Sequence, residues 1–249
     1  MRVMICDSKE RCSRKAAEHG MRLIREAIAA RGEASIILST GTSQFNLLAE
    51  LVRSPHVDWH RVTGFHLDEY IGITMEHPAS FRRYLKERFV SLVPIKAFHY
   101  INGEGNLCDE IERQGEAIRR HTIDVAFVGI GENGHLAFND PPADFDTLEP
   151  FLIVDLDENC RKQQVGEGWF RSIDEVPTRA ISMSIRQIMK SRAIIATVPD
   201  ARKAEAVRNC MEGPATPQAP ASILREHERA TLYLDRDSAS LLQETCERF

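Results

Sequence analysis

Residues 125–142 read VAFVGIGENGHLAFNDPP. The residues there that could do chemistry are His135, with Asn133 just before it and Asp140 just after it. Histidine changes its charge near neutral pH, and an amide and a carboxylate close by can orient its ring, so the three make an acid/base constellation. Gly129, Gly131 and Gly134 let the backbone turn tightly and come close to a ligand. The apolar run Val125 to Val128 reads as a buried strand, which puts His135 on the loop at a strand's carboxyl end, where open α/β sheets bind ligands. The same spacing also suits a plain glycine turn carrying an exposed histidine.

Three other stretches carry polar chemistry. Ser39-Thr40-Gly41-Thr42-Ser43 joins a strand, Ser35 to Leu38, to a helix that begins near Ser43. Unpaired N–H groups at a helix start attract phosphate, and Thr40, Thr42 and Ser43 add hydroxyls; Ser43 could equally be a simple helix cap. The segment lacks the G-K-[ST] ending of a P-loop. Asp68 and Glu69 follow the strand Arg61 to Leu67. Neighbouring side chains point in different directions at a strand end, so one carboxylate is expected to face a given cleft. Lys203 lies in the first turns of a helix over Pro199 to Met211, opposed to the helix dipole, and calls for an anionic partner.

These loops need a scaffold. Strands are expected at Met1 to Cys6, Ala97 to Ile101, Pro150 to Leu156, Ala180 to Ile185, Ala193 to Val198 and Thr231 to Leu234. Helices are expected from Ser8 to about Ala30, with Gly32 ending it, at Pro78 to Val90, at Leu107 to His121, briefly from Ala221, and from Ser238 to the end. Asn159 to Phe170 is polar, with Gly166 and Gly168 near its end, and reads as a mobile lid over a cleft or an ordinary surface helix. Alternating strands and helices predict an α/β fold, a single-domain Rossmann-like arrangement over 1–249 with a mostly parallel sheet and helices on both faces.

Composition narrows the function. The chain is 43% hydrophobic and 28% charged, as expected of a globular protein, and its formal net charge of −5 with no basic tract argues against nucleic acid as a partner. No apolar run is long enough to span a bilayer, and the N-terminus has no signal-peptide core, so no membrane partner and a cytoplasmic location are expected. Six scattered cysteines with no C-x-x-C pair predict reduced thiols and no metal site.

Three segments together resemble the glucosamine-6-phosphate deaminase family, within a superfamily that also holds 6-phosphogluconolactonases. They are Leu38-Ser-Thr-Gly-Thr-Ser43, Phe65-His-Leu-Asp-Glu-Tyr70 followed by Gly72, and Gly129-Ile-Gly-Glu-Asn-Gly-His-Leu-Ala-Phe-Asn-Asp-Pro141. The resemblance implies a cofactor-free reaction that turns an amino-sugar phosphate into a ketose phosphate and ammonia. It implies that His135 opens the sugar ring, that Asp68 moves a proton between C2 and C1, and that Asn133 and Asp140 orient His135. Ser39, Thr40, Gly41, Thr42, Ser43, Glu69, Gly134 and Lys203 are implied on the substrate and phosphate side, Glu69 in a supporting role. Galactosamine 6-phosphate, lactone hydrolysis and non-catalytic sugar-phosphate sensing are the alternatives. The family ranges from monomers to hexamers, so a homo-oligomer stays open.

The chain departs from the family pattern at five places. Asn133 replaces an aspartate found in some members, which predicts a less basic His135. Asp140 is one methylene shorter than the usual glutamate, which predicts that it reaches His135 only after loop adjustment or through a water. Gln44 replaces a proline. The lid offers Arg161 and Lys162, neither in clear register with the arginine that clasps phosphate in the family. Residues 143–150, ADFDTLEP, are acidic where regulated members carry basic residues for an allosteric amino-sugar phosphate. N-acetylglucosamine 6-phosphate is therefore expected to leave the substrate half-saturation unchanged; a several-fold decrease in steady-state assays would contradict this.

Overall fold

The structure is a computed structural model and describes residues 1–243. Seven parallel strands form the main sheet: β1 (Arg2–Cys6), β2 (Ala34–Leu38), β3 (Val62–His66), β5 (Ala97–His99), β6 (Val125–Val128), β9 (Ile194–Val198) and β10 (Ala230–Asp235). Their order across the sheet is β1-β10-β9-β6-β2-β3-β5. The chain is α/β with a mostly parallel sheet, as the sequence pattern predicts. Strands β2, β3, β6 and β9 are buried along their whole length, which accounts for their continuous apolar runs rather than alternating ones.

Alternate residues of these strands divide between two cores. Ile36, Leu38, Val125 and Phe127 face one side, where α1 (Lys9–Arg31) and α2 (Phe45–Arg53) cover them. Helix α1 starts where the Ser8 hydroxyl accepts the Arg11 N–H and ends at Gly32, whose φ of +84° is the left-handed cap that only glycine adopts cheaply. Its stripe Ala16, Gly20, Leu23, Ile24 and Ala27 is buried against the sheet. Ile37, Phe65, Ala126 and Val128 face the other side, toward α4 (Leu107–Arg119), α6 (Ile185–Met189) and α7 (Ala204–Glu212).

A second sheet lies on that side, and the sequence reading missed it. Strands β4 (Asp68–Tyr70), β7 (Phe151–Asp155) and β8 (Arg179–Met183) pair antiparallel in the order β4-β8-β7. The segments expected as further parallel strands at 150–156 and 180–185 are these β7 and β8. The reason is local. The Leu67 carbonyl accepts the Met183 N–H, so the chain leaves the main sheet after His66 and re-pairs in register with β8, Asp68 opposite Ser182. Phe151, Ile181 and Met183 then join the core formed by Phe65 and Val128.

Other boundaries shift as caps dictate. Helix α3 (Phe81–Leu85) begins at the Ser80 cap rather than at Pro78. Helix α5 (Glu158–Gly166) covers the expected lid, starting where Asp157 Oδ1 accepts the Cys160 N–H. The helix expected from Ser238 is a series of turns as far as Leu242, and residues 244–249 lie outside the described residues. No helix among the described residues is long and apolar enough to cross a membrane. Their five cysteines form no disulfide, and all but Cys108 are buried; Cys246 lies beyond them.

The order β9-β6-β2-β3 decides where function can sit. These four neighbours run parallel, so the loops after their carboxyl ends emerge together: 199–203, 129–140, 39–43 and 67–68. The placement of β4 depends on Gly103, whose carbonyl accepts the Gly72 N–H. A Cβ on Gly103 would sit 1.9 Å from the Tyr70 carbonyl oxygen, where only backbone movement could relieve it. Gly103→Ala is expected to destabilise the fold by about 1–3 kcal/mol and lower the melting temperature by roughly 2–9 °C. Calorimetry or a dichroism melt checks this; an unchanged melting temperature would show that β4 is not clamped there.

Candidate active site

The four loops enclose a cleft of about 500 Å³, its open mouth included. Ser39, Thr40, Gly41, Ser43, Asp68, His135 and Lys203 all line it, so residues up to 164 positions apart in the chain meet at one place.

The His135 end is a pair of side chains fixed by a third. His135 Nδ1 lies 3.1 Å from Asp140 Oδ1. The shorter acid therefore reaches the ring directly, and the gap expected from the sequence does not arise, because the 136–140 loop folds back on itself with Ala137 at a φ of +55°. Burial pushes the Asp140 carboxyl up, but His135, the Asn133 amide and the Asp157 N–H together hold it below the usual carboxylate range. An ionised Asp140 at this distance favours the tautomer with its proton on Nδ1. Asn133 acts one step back. Its Nδ2 donates to Asp140 Oδ1 at 2.9 Å and to Asp157 Oδ2 at 3.0 Å, and its Oδ1 accepts the His135 backbone N–H. It therefore orients the histidine through Asp140 and the backbone. Gly131 is obligatory here, since a Cβ would sit 2.3 Å from the imidazole.

At the opposite wall, two adjacent carboxyls have opposite surroundings. Glu69 accepts the backbone N–H groups of Tyr70, Phe81 and Arg82 and the Ser80 hydroxyl, with Arg82 Nε 3.4 Å away. It is fully buried and does not line the ligand-free cleft, its oxygens joining β4 at Tyr70 to the start of α3 at Ser80, Phe81 and Arg82. Asp68 lines the cleft, and its Oδ1 has no hydrogen-bond partner among the described residues. Burial, with the Glu69 charge next, pushes its carboxyl up to about 8. Gly134, at a φ of +84°, forms the turn before His135, and a Cβ added there would stand 3.4 Å from Cys210 Sγ.

The third wall is a cradle of donors and opposed charges. Ser39, Thr40, Gly41 and Ser43 line it, and Gly41 is held at a φ of +98° with its carbonyl accepting the Tyr84 hydroxyl. Lys203 is 2% exposed, so its ammonium needs a partner inside the protein. Burial pulls the Lys203 amine down, and the carboxylates of Glu167 and Glu132 oppose that. Gln44, in the place of the family's proline, reaches Ser43 Oγ and the Thr197 carbonyl, stitching the loop to β9.

Neither lid cation reaches this wall. The Arg161 guanidinium donates to the Ile173 and Val176 carbonyls, and Lys162 pairs with Glu158 on the exposed side of α5. The cation beside the loop is Arg202, which donates to Thr42 Oγ1 at 3.0 Å. Sequence reasoning missed Arg202, Asp157 and Glu167. A run of two basic residues at 202–203 and an acid between two glycines at 166–168 were the available signals.

His135, Asp140 and Cys160 bring donor atoms within 4.8 Å of one another. They suit a metal poorly. Burial, with the Asp140 and Asp157 charges next, drives the Cys160 thiol well above its ordinary range, while Asp140 and His135 already satisfy each other.

Residues 7–233 match the model of the family described as glucosamine-6-phosphate isomerases/6-phosphogluconolactonase. The chain belongs to this family. It is 35% identical over 250 residues to a glucosamine-6-phosphate deaminase of Exiguobacterium sibiricum, covering 100% of this chain and 96% of the relative. It is 35% identical to one of Listeria monocytogenes, covering 97% and 100%. Among solved structures, a monomeric glucosamine-6-phosphate deaminase superposes with a TM-score of 0.88 at 32% identity, covering 97% and 100% of the two chains. The 6-phosphogluconolactonase of Trypanosoma brucei shares the fold, with a TM-score of 0.80 at 17% identity, covering 97% and 98%.

The raised proton affinity of Asp68 has a consequence for stability. An unfolded chain releases this proton near 3.8, whereas the fold holds it to about 8. Across that window the native state binds the extra proton, so the contribution of Asp68 to stability falls as pH rises. Asp68→Asn removes that term. The variant is expected to gain melting temperature relative to wild type as pH goes from 5 to 8; a constant difference would show that Asp68 is ionised throughout.

Proposed function

We propose that this chain is a glucosamine-6-phosphate deaminase that yields fructose 6-phosphate and ammonia, a cytoplasmic enzyme acting on a small sugar phosphate without a cofactor. One observation carries the reading: Asp68, a buried carboxyl with few donors, opens on the same cleft as the His135–Asp140 pair, with a phosphate-sized cradle of hydroxyls, loop N–H groups and Lys203 beside them. The full-length similarity to proteins named as such deaminases supports it.

The chemistry divides between the two walls. His135, backed by Asp140, moves a proton between the ring oxygen and the C1 hydroxyl and so opens the ring. The ionised form of Asp68 takes the proton from C2 and returns it to C1. The C2 amine becomes an imine, water adds to that carbon, and ammonia leaves as the ketose forms. A base that abstracts a carbon-bound proton gains from high proton affinity, and burial supplies it. Thr40, Gly41, Thr42, Ser43 and Lys203 hold the phosphate, with Ser39 at the edge of the loop. Asn133 is a positioning residue through Asp140.

Ammonia release from glucosamine 6-phosphate, galactosamine 6-phosphate and, as acid release, 6-phosphogluconolactone tests this reading. Ammonia from the glucosamine compound with at least tenfold preference is expected; ammonia from the galactosamine compound alone would change the epimer, and acid from the lactone alone would overturn the deaminase. Asp68→Asn is expected to lose turnover by about a thousandfold or more while still binding substrate, as loss of an acid/base group costs about 10²–10⁴. In wild type, kcat/KM is expected to climb with pH toward about 8 as Asp68 ionises.

A further inference from the structure

The cradle already contains an anion. Glu167 projects from the end of α5 onto the loop after β2, its side chain only 5% exposed. Its Oε2 accepts the Thr42 N–H at 3.3 Å and the Trp169 indole N–H at 3.2 Å, and its Oε1 accepts the Gln163 amide at 2.8 Å and lies 3.7 Å from Arg202 Nη2. A Cβ added to Gly41 would stand 3.8 Å from Oε2, so the carboxylate reaches the glycine of the phosphate loop itself. Burial pushes this carboxyl up, yet Lys203, the Gln163 amide, the Trp169 indole and Arg202 hold it below the usual range, so it is ionised at neutral pH.

We propose that Glu167 is an internal competitor for the phosphate of the substrate: its carboxylate fills the cradle in the ligand-free protein, and phosphate binding expels it. Glu167 thereby sets the affinity for phosphorylated ligands. The proposal rests on the reading of this cradle as the phosphate subsite.

Three observations converge on displacement rather than sharing. The first is that the donors are the same. The Thr42 N–H and the Lys203 ammonium are what a phosphate at this loop would use, and Glu167 accepts the first directly and acts on the charge of the second through space. The second is charge. Arg202 and Lys203 face Glu132 and Glu167, so the local charges cancel. A phosphate monoester adds roughly −1.5 to −2 at pH 7. With Glu167 in place that charge would stand uncompensated beside two carboxylates, which is unfavourable. The third is room to move. Glu167 lies between Gly166 and Gly168, a Cβ at either would meet nothing within 4 Å, and Gly168 has a φ of +82°. The glycines on either side of Glu167 thus border open space, while Trp169 next to them stays packed on Phe45 and Tyr84.

A different role for Glu167, accepting a substrate hydroxyl, makes the opposite prediction. The two separate in direct binding of inorganic phosphate to the full chain by titration calorimetry. Glu167→Gln, which keeps the shape and removes the charge, is expected to bind phosphate about tenfold tighter than wild type, and Lys203→Gln to lose it. Where the amide variant folds poorly by thermal melt, Glu167→Ala serves. In turnover, Glu167→Gln is expected to lower KM for glucosamine 6-phosphate without raising kcat. Unchanged or weaker phosphate binding by both Glu167 variants overturns the proposal, as does absence of phosphate binding in every protein. Tighter phosphate binding with no ammonia from either amino sugar would sustain the proposal and overturn the deaminase reading instead.

Discussion

The carboxylate of Glu69, buried and saturated with donors, is the interaction on which the rest of the site depends. Three backbone N–H groups, a hydroxyl and a guanidinium converge on it, and two of those N–H groups belong to the buried first turn of α3. Burial pushes this carboxyl up and the donors oppose that, and together they pin the crossing from the main sheet to the small one. Its neighbour Asp68 is then forced to the other face of the strand, into the cleft, where no comparable donors exist. Burial pushes both carboxyls up, but backbone direction gives only Glu69 a set of donors that opposes it.

The strand order supplies what Glu69 cannot. Four parallel neighbours deliver their loops to one edge, so no loop has to be long to reach the cleft. The histidine is then fixed by a chain of short-range contacts, from Asp157 through Asn133 to Asp140 and the ring. Asp157 also caps α5, so the helix that carries Glu167 and the loop that carries His135 share one residue. Position along α5 and orientation of the imidazole are therefore mechanically connected, although Glu167 and His135 sit at different walls.

Much of this was legible in the sequence. The apolar runs of β2, β6 and β9, the glycine turns and the N-cap at Ser8 point to a parallel α/β sheet, and the loops at 39–43, 68–69, 133–140 and 203 were identifiable by residue type. The small antiparallel sheet was not, because Phe151 to Asp155 and Arg179 to Met183 have the same apolar character whichever sheet they join; a single backbone bond, Met183 to Leu67, decides it. The directions in which Glu69 and Gly134 point were not legible for a related reason. Sequence shows which residues flank a turn but not which way each one points. Asp140 illustrates the converse: a missing methylene looked like lost reach, and the loop absorbed it.

The electrostatics of the cleft are asymmetric in the ligand-free fold. At the Asp68 wall a carboxyl holds a proton because nothing nearby rewards its charge. At the cradle wall cations and anions cancel through Glu132 and Glu167. The protein thus bears little uncompensated charge in the cleft, which keeps the empty site compatible with a stable fold. Catalysis needs the reverse, an ionised base at one wall and unopposed cations at the other. A ligand that is anionic at one end and carries an ammonium at C2 can supply both changes. Its phosphate competes for Lys203, and its cation favours loss of the proton from Asp68.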